Sequence, residues 1–340
     1  MLLTIVATIF VFGIIVFIHE FGHFITAKAS GMRVDEFAIG FGPALVKIQK
    51  GETLYSIRAI PLGGYNKIAG MDPEEPLDDR SFLNKPVWKR FIVISAGAIF
   101  NFLLAIVIFF IVYASYGVQT PSKEPVVGNM MSNSPAAMAH MQVNDRIMSI
   151  NGKPVTEWLD ISKQLQGTAN TVVPIVISRD GQQQELSVIP TQTGNEGRAV
   201  IGINPVSIVQ EYSISESAIR AVQTTGVVLV SMVDGLWSMI TGTTSAELAG
   251  PIGVAQMAGQ MAENGFMYLL QFTALLSLNL GVINLLPIPA LDGGHLIVLL
   301  IEGITRRRLP VKALQYIQMT GVIILLLLFV YATTHDISRL

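Results

Sequence analysis

Residues 2–23 read LLTIVATIFVFGIIVFIHEFGH, an apolar run that ends in three ionisable side chains. Because a helix needs about 20 mostly apolar residues to cross a bilayer, the run predicts a transmembrane helix. No charged stretch precedes it and no small-residue cleavage site follows, so we expect this helix to remain in the mature protein. Each ionisable group at mid-bilayer costs roughly 2.5–3.5 kcal/mol on insertion scales, and three within five residues therefore indicate a functional site.

The rest of the chain has the composition of a membrane protein. Of 340 residues, 51% are hydrophobic and only 14% are charged, against roughly 25% charged residues in soluble domains. Further apolar runs occupy residues 91–115, 266–301 and 319–332, the second of which is interrupted by Pro287 and Pro289. We therefore predict a polytopic α-helical membrane protein with about four transmembrane helices in a lipid bilayer.

Residues 216–241 form a fifth apolar segment with a different character. Glu216, Arg220, Gln223 and Asp234 are scattered through it. This pattern favours an amphipathic helix on the membrane surface over a span. Both interpretations stay open at this point.

Basic residues predict the orientation of the spans. Ten of the twenty-two lie between Lys28 and Arg90 and four more lie between Arg306 and Lys312, whereas residues 116–265 carry seven. Loops rich in lysine and arginine stay on the cytoplasmic side. The long loop and both termini are therefore expected outside the cytoplasm, and the ionisable residues of the first span are expected toward its cytoplasmic end.

Two segments have the features of β-structure. Residues 125–205 form a soluble module, in which the runs 172–178 and 186–189 flank the turn sequence Arg179-Asp180-Gly181. Residues 34–69 contain alternating apolar and polar pieces near glycine pairs, which predicts β-hairpins close to the membrane. We divide the chain into a membrane core at residues 1–115, a β-rich domain at 116–210, a surface helix with a linker at 211–264, and a second membrane core at 265–340.

The sequence His19-Glu20-Phe21-Gly22-His23 matches the pattern H-E-x-x-H, in which two histidines one helical turn apart present both imidazoles on one face. Together the two imidazoles can bind a single metal ion. Glu20 lies about 100° around the helix from His19, so it is placed to act as general base on a water rather than as a ligand. Since the chain contains no cysteine, nitrogen and oxygen must hold any metal.

A catalytic zinc takes three protein ligands, so a third one must come from elsewhere in the chain. The candidates within apolar segments are Asp292, His295 and Glu302. We favour Asp292, because prolines before it and glycines after it break the helix and let irregular backbone line an interior cavity. His295 is expected to be hydrogen-bonded, and Glu302 is expected to pair with the arginines at 306–308. The predicted ligands of one Zn²⁺ per chain are His19, His23 and Asp292.

Two further features are candidates for substrate binding. Asn284 lies in the same broken span as Asp292, and its buried amide either holds substrate backbone or caps the helix. The strand-like segment from Ser56 to Tyr65 either is a structural hairpin or offers an edge to which an unwound substrate adds as a β-strand. Its candidate contact residues are Ser56, Arg58, Ile60, Leu62, Gly63 and Gly64.

These residues favour an intramembrane zinc protease over two other classes. A membrane scaffold or transporter would also use buried carboxylates and histidines, but an ion path requires neither paired histidines nor a third ligand. A zinc-binding but inactive protein would not need Glu20. A net charge of -2 and the absence of a basic stripe give no reason to expect a nucleic-acid partner.

The chain resembles the bacterial site-2 proteases, peptidase family M50, and particularly those of the proteobacterial sigma-E type. The resemblance is nearly full length and rests on the histidine motif, on Gly40-Phe41-Gly42-Pro43, on residues 60–65 (IPLGGY) and on residues 284–295 (NLLPIPALDGGH). It implies His19, His23 and Asp292 as zinc ligands and Glu20 as catalytic base. It also implies an inner-membrane enzyme of stress response that cleaves single-pass membrane proteins, such as anti-sigma factors or remnant signal peptides, in regulated intramembrane proteolysis.

Residues 124–152 resemble part of a PDZ domain, which implies one extracytoplasmic PDZ-like α+β domain with a possible peptide ligand. The resemblance also implies that this domain acts as a size filter against untrimmed substrates. Two departures stand out. His140 and Asn144 occupy positions where such domains usually have glycine, and the chain has room for one PDZ domain where relatives of the sigma-E type carry two.

Overall fold

The computed structural model describes residues 1–72, 75–193, 198–243 and 250–338. The chain forms two units, of which one comprises Met1–Ser115 with Ser213–Leu340 and the other is Tyr116–Tyr212. The first unit is helical with one β-sheet, and the second is built mainly from strands. We call them the membrane unit and the β-rich unit.

Nine α-helices are present in the described residues of the two units. In chain order they are α1 (Leu2–Ala29), α2 (Val87–Tyr116), α3 (Pro135–Met138), α4 (Trp158–Leu165), α5 (Ile214–Ile240), α6 (Pro251–Asn264), α7 (Phe266–Leu285), α8 (Asp292–Thr305) and α9 (Val311–Ser338). Only α3 and α4 belong to the β-rich unit.

The described strands are long in the membrane unit and short in the β-rich unit. They are β1 (Val34–Lys50), β2 (Thr53–Ile68), β3 (Val118–Pro121), β4 (Val127–Met130), β5 (Arg146–Ile150), β6 (Lys153–Pro154), β7 (Val173–Arg179), β8 (Gln182–Val188), β9 (Thr191–Thr193), β10 (Arg198–Val200), β11 (Ile203–Pro205) and β12 (Ser207–Gln210).

Several helices of the membrane unit could span a bilayer. Within the described residues, five are long and apolar enough by length and composition, namely α1, α2, residues 214–239 of α5, α7 and α9. The third predicted span consists of two helices, because α7 ends at Leu285 and α8 begins only at Asp292. The placement of α5 across the membrane or on its surface stays a prediction.

α1 and α2 pack closely beside the histidine motif. A side chain at Gly22 would place its Cβ 2.7 Å from the carbonyl oxygen of Ala96, so only glycine fits there. Toward the start of α1, Val11 and Ile15 are buried in one cluster with Ile108 of α2. Small residues permit this approach, which matters because lipid tails are as apolar as the helices and do not drive them together.

β1 and β2 fold back on themselves within one sheet. Phe37 lies opposite both Tyr55 and Asn66, so this part of β1 lies between the first and the last segment of β2. β1 changes direction at Gly40 and Gly42, whose φ angles of 89° and 81° suit glycine. The last segment of β2 therefore forms an outer edge of the sheet.

The turn between β1 and β2 is anchored to the end of α1. Glu52 accepts hydrogen bonds from Arg80 at 2.6 and 2.7 Å and from Lys28 at 2.5 Å. These hydrogen bonds lower the pKa of the Glu52 carboxyl group to about 2. The carboxylate therefore stays charged at neutral pH and ties the sheet to α1.

The β-rich unit contains a four-stranded antiparallel sheet in the order β6-β5-β7-β8. The sheet buries Ile175 and Ile177 of β7 in one cluster with Ile161 of α4. Asp180 and Gly181 form the turn between β7 and β8 with φ angles of 52° and 82°, as two-residue hairpin turns require. The module expected from the sequence is therefore present, with helices added to its strands.

The two residues that replace glycines of the PDZ pattern, His140 and Asn144, have a left-handed backbone. His140 has a φ of 58° and Asn144 a φ of 73°, which is the conformation that glycine adopts without steric cost. The next residue, Asp145, is 1% exposed and accepts hydrogen bonds from Arg179 at 2.7 and 2.8 Å and from the backbone N–H of Gln142 at 2.7 Å. These bonds hold the turn despite the missing glycines.

Candidate metal centre

α1 brings the two histidines of the motif together. His19 and His23 lie one helical turn apart and are each 9% exposed. Their Nε2 atoms are 3.2 Å apart. This arrangement follows from the helical repeat, which places residues i and i+4 on the same face.

Asp292 comes to the same place from the start of α8. Its Oδ2 atom lies 3.4 Å from His19 Nε2 and 3.4 Å from His23 Nε2. The loop between α7 and α8 makes a tight turn, with a φ of 72° at Ala290. Any Cβ at Gly293 would overlap the carbonyl oxygen of Leu286. The glycine after Asp292 thus permits the bend that aims the carboxylate at the histidines.

The three side chains fit a zinc ion. Donor atoms that bind one tetrahedral zinc at about 2.0–2.2 Å stand roughly 3.3–3.6 Å apart, close to the separations found here. The buried Oδ2 of Asp292 has no hydrogen-bond partner, as expected of an atom reserved for a metal. Within the described part of the chain, these residues form the one group of His, Asp and Glu side chains whose ligand atoms all lie within 4.8 Å of one another.

α2 orients both imidazole rings. His23 Nδ1 lies 2.7 Å from the carbonyl oxygen of Val93, to which it donates its proton. His19 Nδ1 lies 3.3 Å from Nδ2 of the fully buried Asn101, whose Oδ1 has no hydrogen-bond partner. Exchanging the two amide atoms by a flip of the side chain lets Oδ1 accept the ring proton of His19. Such partners fix the tautomer and leave Nε2 of each ring available to the metal.

Gly97 of α2 makes room for the two rings. A Cβ at this position would overlap His23 Nε2 and stand 2.5 Å from His19 Cε1. Neither Gly97 nor Asn101 was predicted from the sequence. Asn101 lies inside the apolar run 91–115, and a lone amide in a predicted span is a signal that could have indicated it.

Glu20 lies beside the three ligands but outside the metal-spaced group. Asn66 of β2 donates one hydrogen bond to Glu20 Oε2 and one to the Glu20 carbonyl oxygen, both at 2.8 Å. A Cβ at Gly64 would stand 2.9 Å from Glu20 Cγ. The last segment of β2 therefore lies directly against the predicted catalytic base, and Asn66 is a contact that sequence reasoning missed.

Asn284 lies in the last turn of α7, close to the histidines. Its Nδ2 is 3.5 Å from His19 Nε2. The amide thus faces the ligand atoms, and its role in substrate binding stays a prediction. His295, in contrast, is not part of the metal-spaced group.

Ser56 and Arg58 lie in the middle of the sheet rather than at its edge. Both side chains donate hydrogen bonds to Glu36, at 2.8 and 2.7 Å, and Arg58 also reaches the carbonyl oxygen of Gly42 and the hydroxyl of Tyr65. Burial by itself would raise the pKa of Glu36, but the hydrogen bonds from Arg58 and Ser56 outweigh it and lower the pKa. These residues hold the sheet together.

The other candidate substrate contacts lie nearer the outer edge of the sheet. Ile60 is half exposed and lies opposite Phe41. Gly63 has a φ of 100°, and a Cβ there would overlap the Phe41 ring. The side chain of Leu62 lies outside the described residues, although its backbone is part of β2.

Glu302 pairs mainly with a residue that the sequence analysis did not consider. Arg90 of α2, itself 3% exposed, donates two hydrogen bonds to the Glu302 carboxylate at 2.7 and 2.8 Å. Of the expected arginine cluster, Arg308 approaches Glu302 at 3.7 Å. The expected pair with the arginine cluster is thus present through Arg308, and Arg90 is an additional, closer partner because α2 and α8, far apart in sequence, lie side by side in the fold.

Comparison with known proteins identifies the family of this chain. The sequence model of peptidase family M50 matches residues 7–328. The zinc metalloprotease RasP of Bacillus licheniformis is 34% identical, and the regulator of sigma-W protease RasP of Bacillus subtilis is 31% identical; each alignment covers 99% of this chain and 99% of the relative. Among solved structures, the PDZ domain of an SdrC-like protein from Listeria monocytogenes is 19% identical over 26% of this chain and 94% of its own, with a TM-score of 0.23.

The matches cover nearly the whole chain at more than 30% identity, and the predicted family and enzyme class are thereby confirmed. This chain belongs to peptidase family M50 and is a zinc metalloprotease of the site-2 protease class.

Proposed function

We propose that this protein hydrolyses peptide bonds within or beside the transmembrane segments of single-pass membrane proteins, with one zinc ion held by His19, His23 and Asp292. The observation that carries the proposal is the buried Asp292 Oδ2, which has no hydrogen-bond partner and faces both Nε2 atoms at 3.4 Å. Zinc bound there supplies Lewis acidity to the scissile carbonyl.

Glu20 acts as the general base. It takes a proton from the attacking water as the water oxygen bonds to the carbonyl carbon, and it returns the proton to the leaving amine nitrogen as the C–N bond breaks. The hydrogen bond from Asn66 to Oε2 holds one carboxylate oxygen in place. The other oxygen remains available for proton transfer.

Asn284 holds the substrate at the reacting bond. Its amide nitrogen lies 3.5 Å from a ligand atom, so a substrate carbonyl at the metal centre comes within reach of its N–H. A positioned donor that binds an oxygen as negative charge develops on it stabilises the transition state. Asn284 thus contributes to binding and to rate.

The edge of the sheet presents the unwound substrate to Glu20. Peptide bonds in a helix are shielded, so the substrate must become extended before hydrolysis. The last segment of β2 pairs with β1 on one side, and Gly64 lies against Glu20. An extended substrate adds to the free side through backbone hydrogen bonds, near Ile60, Leu62, Gly63 and Gly64, while Ser56 and Arg58 keep the sheet in shape.

The enzyme lies in the bacterial inner membrane as a multi-pass protein. Its basic loops and metal centre lie toward the cytoplasm, and both termini and the β-rich unit lie on the other side. The β-rich unit is a PDZ-like domain that excludes untrimmed substrates and takes a peptide ligand. Substrates are anti-sigma factors or remnant signal peptides; the Bacillus subtilis relative is named a regulator of sigma-W protease.

The direct test is cleavage of a single-span model substrate by the purified protein in detergent. Wild type should cut within the span, whereas Glu20→Gln should be slower by about 10²–10⁴-fold and should still bind zinc. A chelator should silence the wild type, and added zinc should restore it. Glu185→Gln, an exposed change in the β-rich unit, serves as the matched control. Full activity of Glu20→Gln would contradict the proposal.

A further inference from the structure

An apolar groove lies between the first turns of α2 and the last turns of α8, at the opposite end of α8 from Asp292. Its volume is about 620 Å³, within the roughly 300–1,000 Å³ range of ligand sites. Val87, Trp88, Phe91 and Ile92 form the α2 wall. Their spacing of i, i+1, i+4 and i+5 places them on one helical face.

The α8 wall repeats this spacing with Leu299, Leu300, Gly303 and Ile304. Ile304 is 82% exposed and Trp88 across the groove is 59% exposed. Gly303 leaves open space, because a Cβ there would meet only Val87, at an ordinary 3.7 Å. The groove is thus a cleft between two parallel rows of apolar side chains.

Basic residues are close in sequence to both walls of the groove. Lys89 follows Trp88 in α2, and its Nζ lies 5.5 Å from the centre of the Trp88 ring while it donates a hydrogen bond to the carbonyl oxygen of Ser30 at 3.3 Å. Arg306 and Arg307 follow the α8 wall directly and are exposed. Within the described residues, neither arginine makes an ion pair.

We propose that this groove binds one anionic phospholipid of the surrounding bilayer, with an acyl chain between the helices and the phosphate against the basic residues. Basic pockets between transmembrane helices on the cytoplasmic side recognise anionic headgroups, and tryptophan is enriched at headgroup level. A neutral lipid would fill the groove but leave Arg306 and Arg307 without a counter-charge. These two arginines therefore select an anionic occupant.

The lipid would join two helices that build the metal centre. α2 carries Val93 and Asn101, which orient the histidines, and α8 carries Asp292. A ligand that binds both walls stabilises the folded arrangement over the unfolded one. This inference is independent of the proposed proteolysis, because lipid binding is measured without substrate.

The test is a count of bound lipids by native mass spectrometry on the full-length protein in detergent. Phosphatidylglycerol and phosphatidylcholine with identical acyl chains are added in competition. We expect one phosphatidylglycerol to be retained in preference by at least tenfold, with a higher unfolding temperature in its presence. Equal retention of both lipids would overturn the proposal.

Two kinds of variant distinguish recognition of the lipid headgroup from binding of the acyl chain in the groove. Arg306→Gln with Arg307→Gln should reduce phosphatidylglycerol retention by up to about 25-fold, at roughly fivefold per basic residue, whereas Lys47→Gln with Lys50→Gln should not. Gly303→Leu should fill the groove and reduce retention of both lipids, whereas Gly235→Leu, also in open space, should not. Equal losses of lipid retention in the variants and in their controls would mean that retention depends on overall charge or on general packing. That result would overturn the proposed site.

Discussion

Asp145 in the β-rich unit and Asp292 in the membrane unit each have a buried carboxylate oxygen, but they serve opposite purposes. Asp145 in the β-rich unit accepts hydrogen bonds from Arg179 and from the backbone of Gln142, so its charge is paired. Asp292 in the membrane unit has a buried oxygen with no hydrogen-bond partner, and that oxygen faces two histidine nitrogens. A satisfied buried carboxylate stabilises a fold, whereas one left unsatisfied beside metal-binding nitrogens marks a site that costs stability and performs chemistry.

Replacing Asp292 should have the largest effect of the changes that test the contrast between the two aspartates. Asp292→Ala should lose bound zinc and all measurable cleavage. Loss of a residue that only orients a metal ligand reduces metal affinity by roughly 10–100-fold, and loss of a residue that binds the metal directly should reduce it further. Asp145→Ala should keep the full zinc content of the membrane unit. Zinc content by elemental analysis and cleavage of a model substrate check both variants, and full zinc in Asp292→Ala would contradict the assignment.

Removing the partner of Asp145 should affect stability alone. Arg179→Met leaves the buried Asp145 carboxylate without its cation and should lower the free energy of unfolding of the β-rich unit by clearly more than loss of an exposed ion pair does. Arg146→Met is the control, since its pair with Glu124 is exposed and should be worth about 0–1 kcal/mol.

The measurement for this pair is denaturant unfolding followed by Trp158 fluorescence, in a background where Trp88 and Trp237 are replaced by Phe. Trp158 then reports on the β-rich unit, in which it lies. Zinc content should not change in either variant. Equal losses from both arginine variants would show that burial of Asp145 is energetically unimportant.

A milder change should disturb the metal centre without removing a ligand. In Gly97→Ala the new methyl group overlaps His23 Nε2, so zinc affinity should fall by about 10–100-fold, the range seen for outer partners of a metal site. Competition with a chelator of known affinity measures this change. Gly235→Ala, which meets nothing within 4 Å, should leave affinity unchanged, and an unchanged Gly97→Ala would place the metal elsewhere.

The smallest effect is expected in the turn before Asp145. His140 holds a left-handed backbone, so His140→Gly should raise the stability of the β-rich unit by up to about 1 kcal/mol, with the flexibility of glycine in the unfolded chain offsetting part of the gain. Ala137→Gly in α3 should instead destabilise by roughly 0.5–1 kcal/mol. The same fluorescence assay decides, and a loss in His140→Gly would mean that the imidazole itself holds the turn.

The sequence was most informative where the chemistry is local. His19, Glu20 and His23 lie on one helix, whose repeat determines that both imidazoles share a face and that Glu20 does not. The turn at Asp180 and Gly181 was likewise readable, because two-residue hairpin turns demand residues that tolerate positive φ. Apolar runs predicted a membrane protein, and motif resemblance predicted the family.

The sequence was least informative where helices distant in the chain meet. It offered Asp292, His295 and Glu302 as alternative ligands, and it predicted the arginine cluster but not Arg90 as a partner of Glu302. Gly97, Asn101 and the carbonyl of Val93 became visible only once α2 lay against α1.

One physical reason explains which contacts the sequence predicts and which it does not. Relations along a single helix or turn are determined by backbone geometry, which is the same in every protein and can be read from spacing. Contacts between α1, α2, α8 and β2 depend on how closely whole elements pack, and a single glycine such as Gly22 or Gly64 decides that distance. The sequence therefore determined the chemistry of the metal ligands, and the tertiary structure decided which side chains surround, orient and serve them.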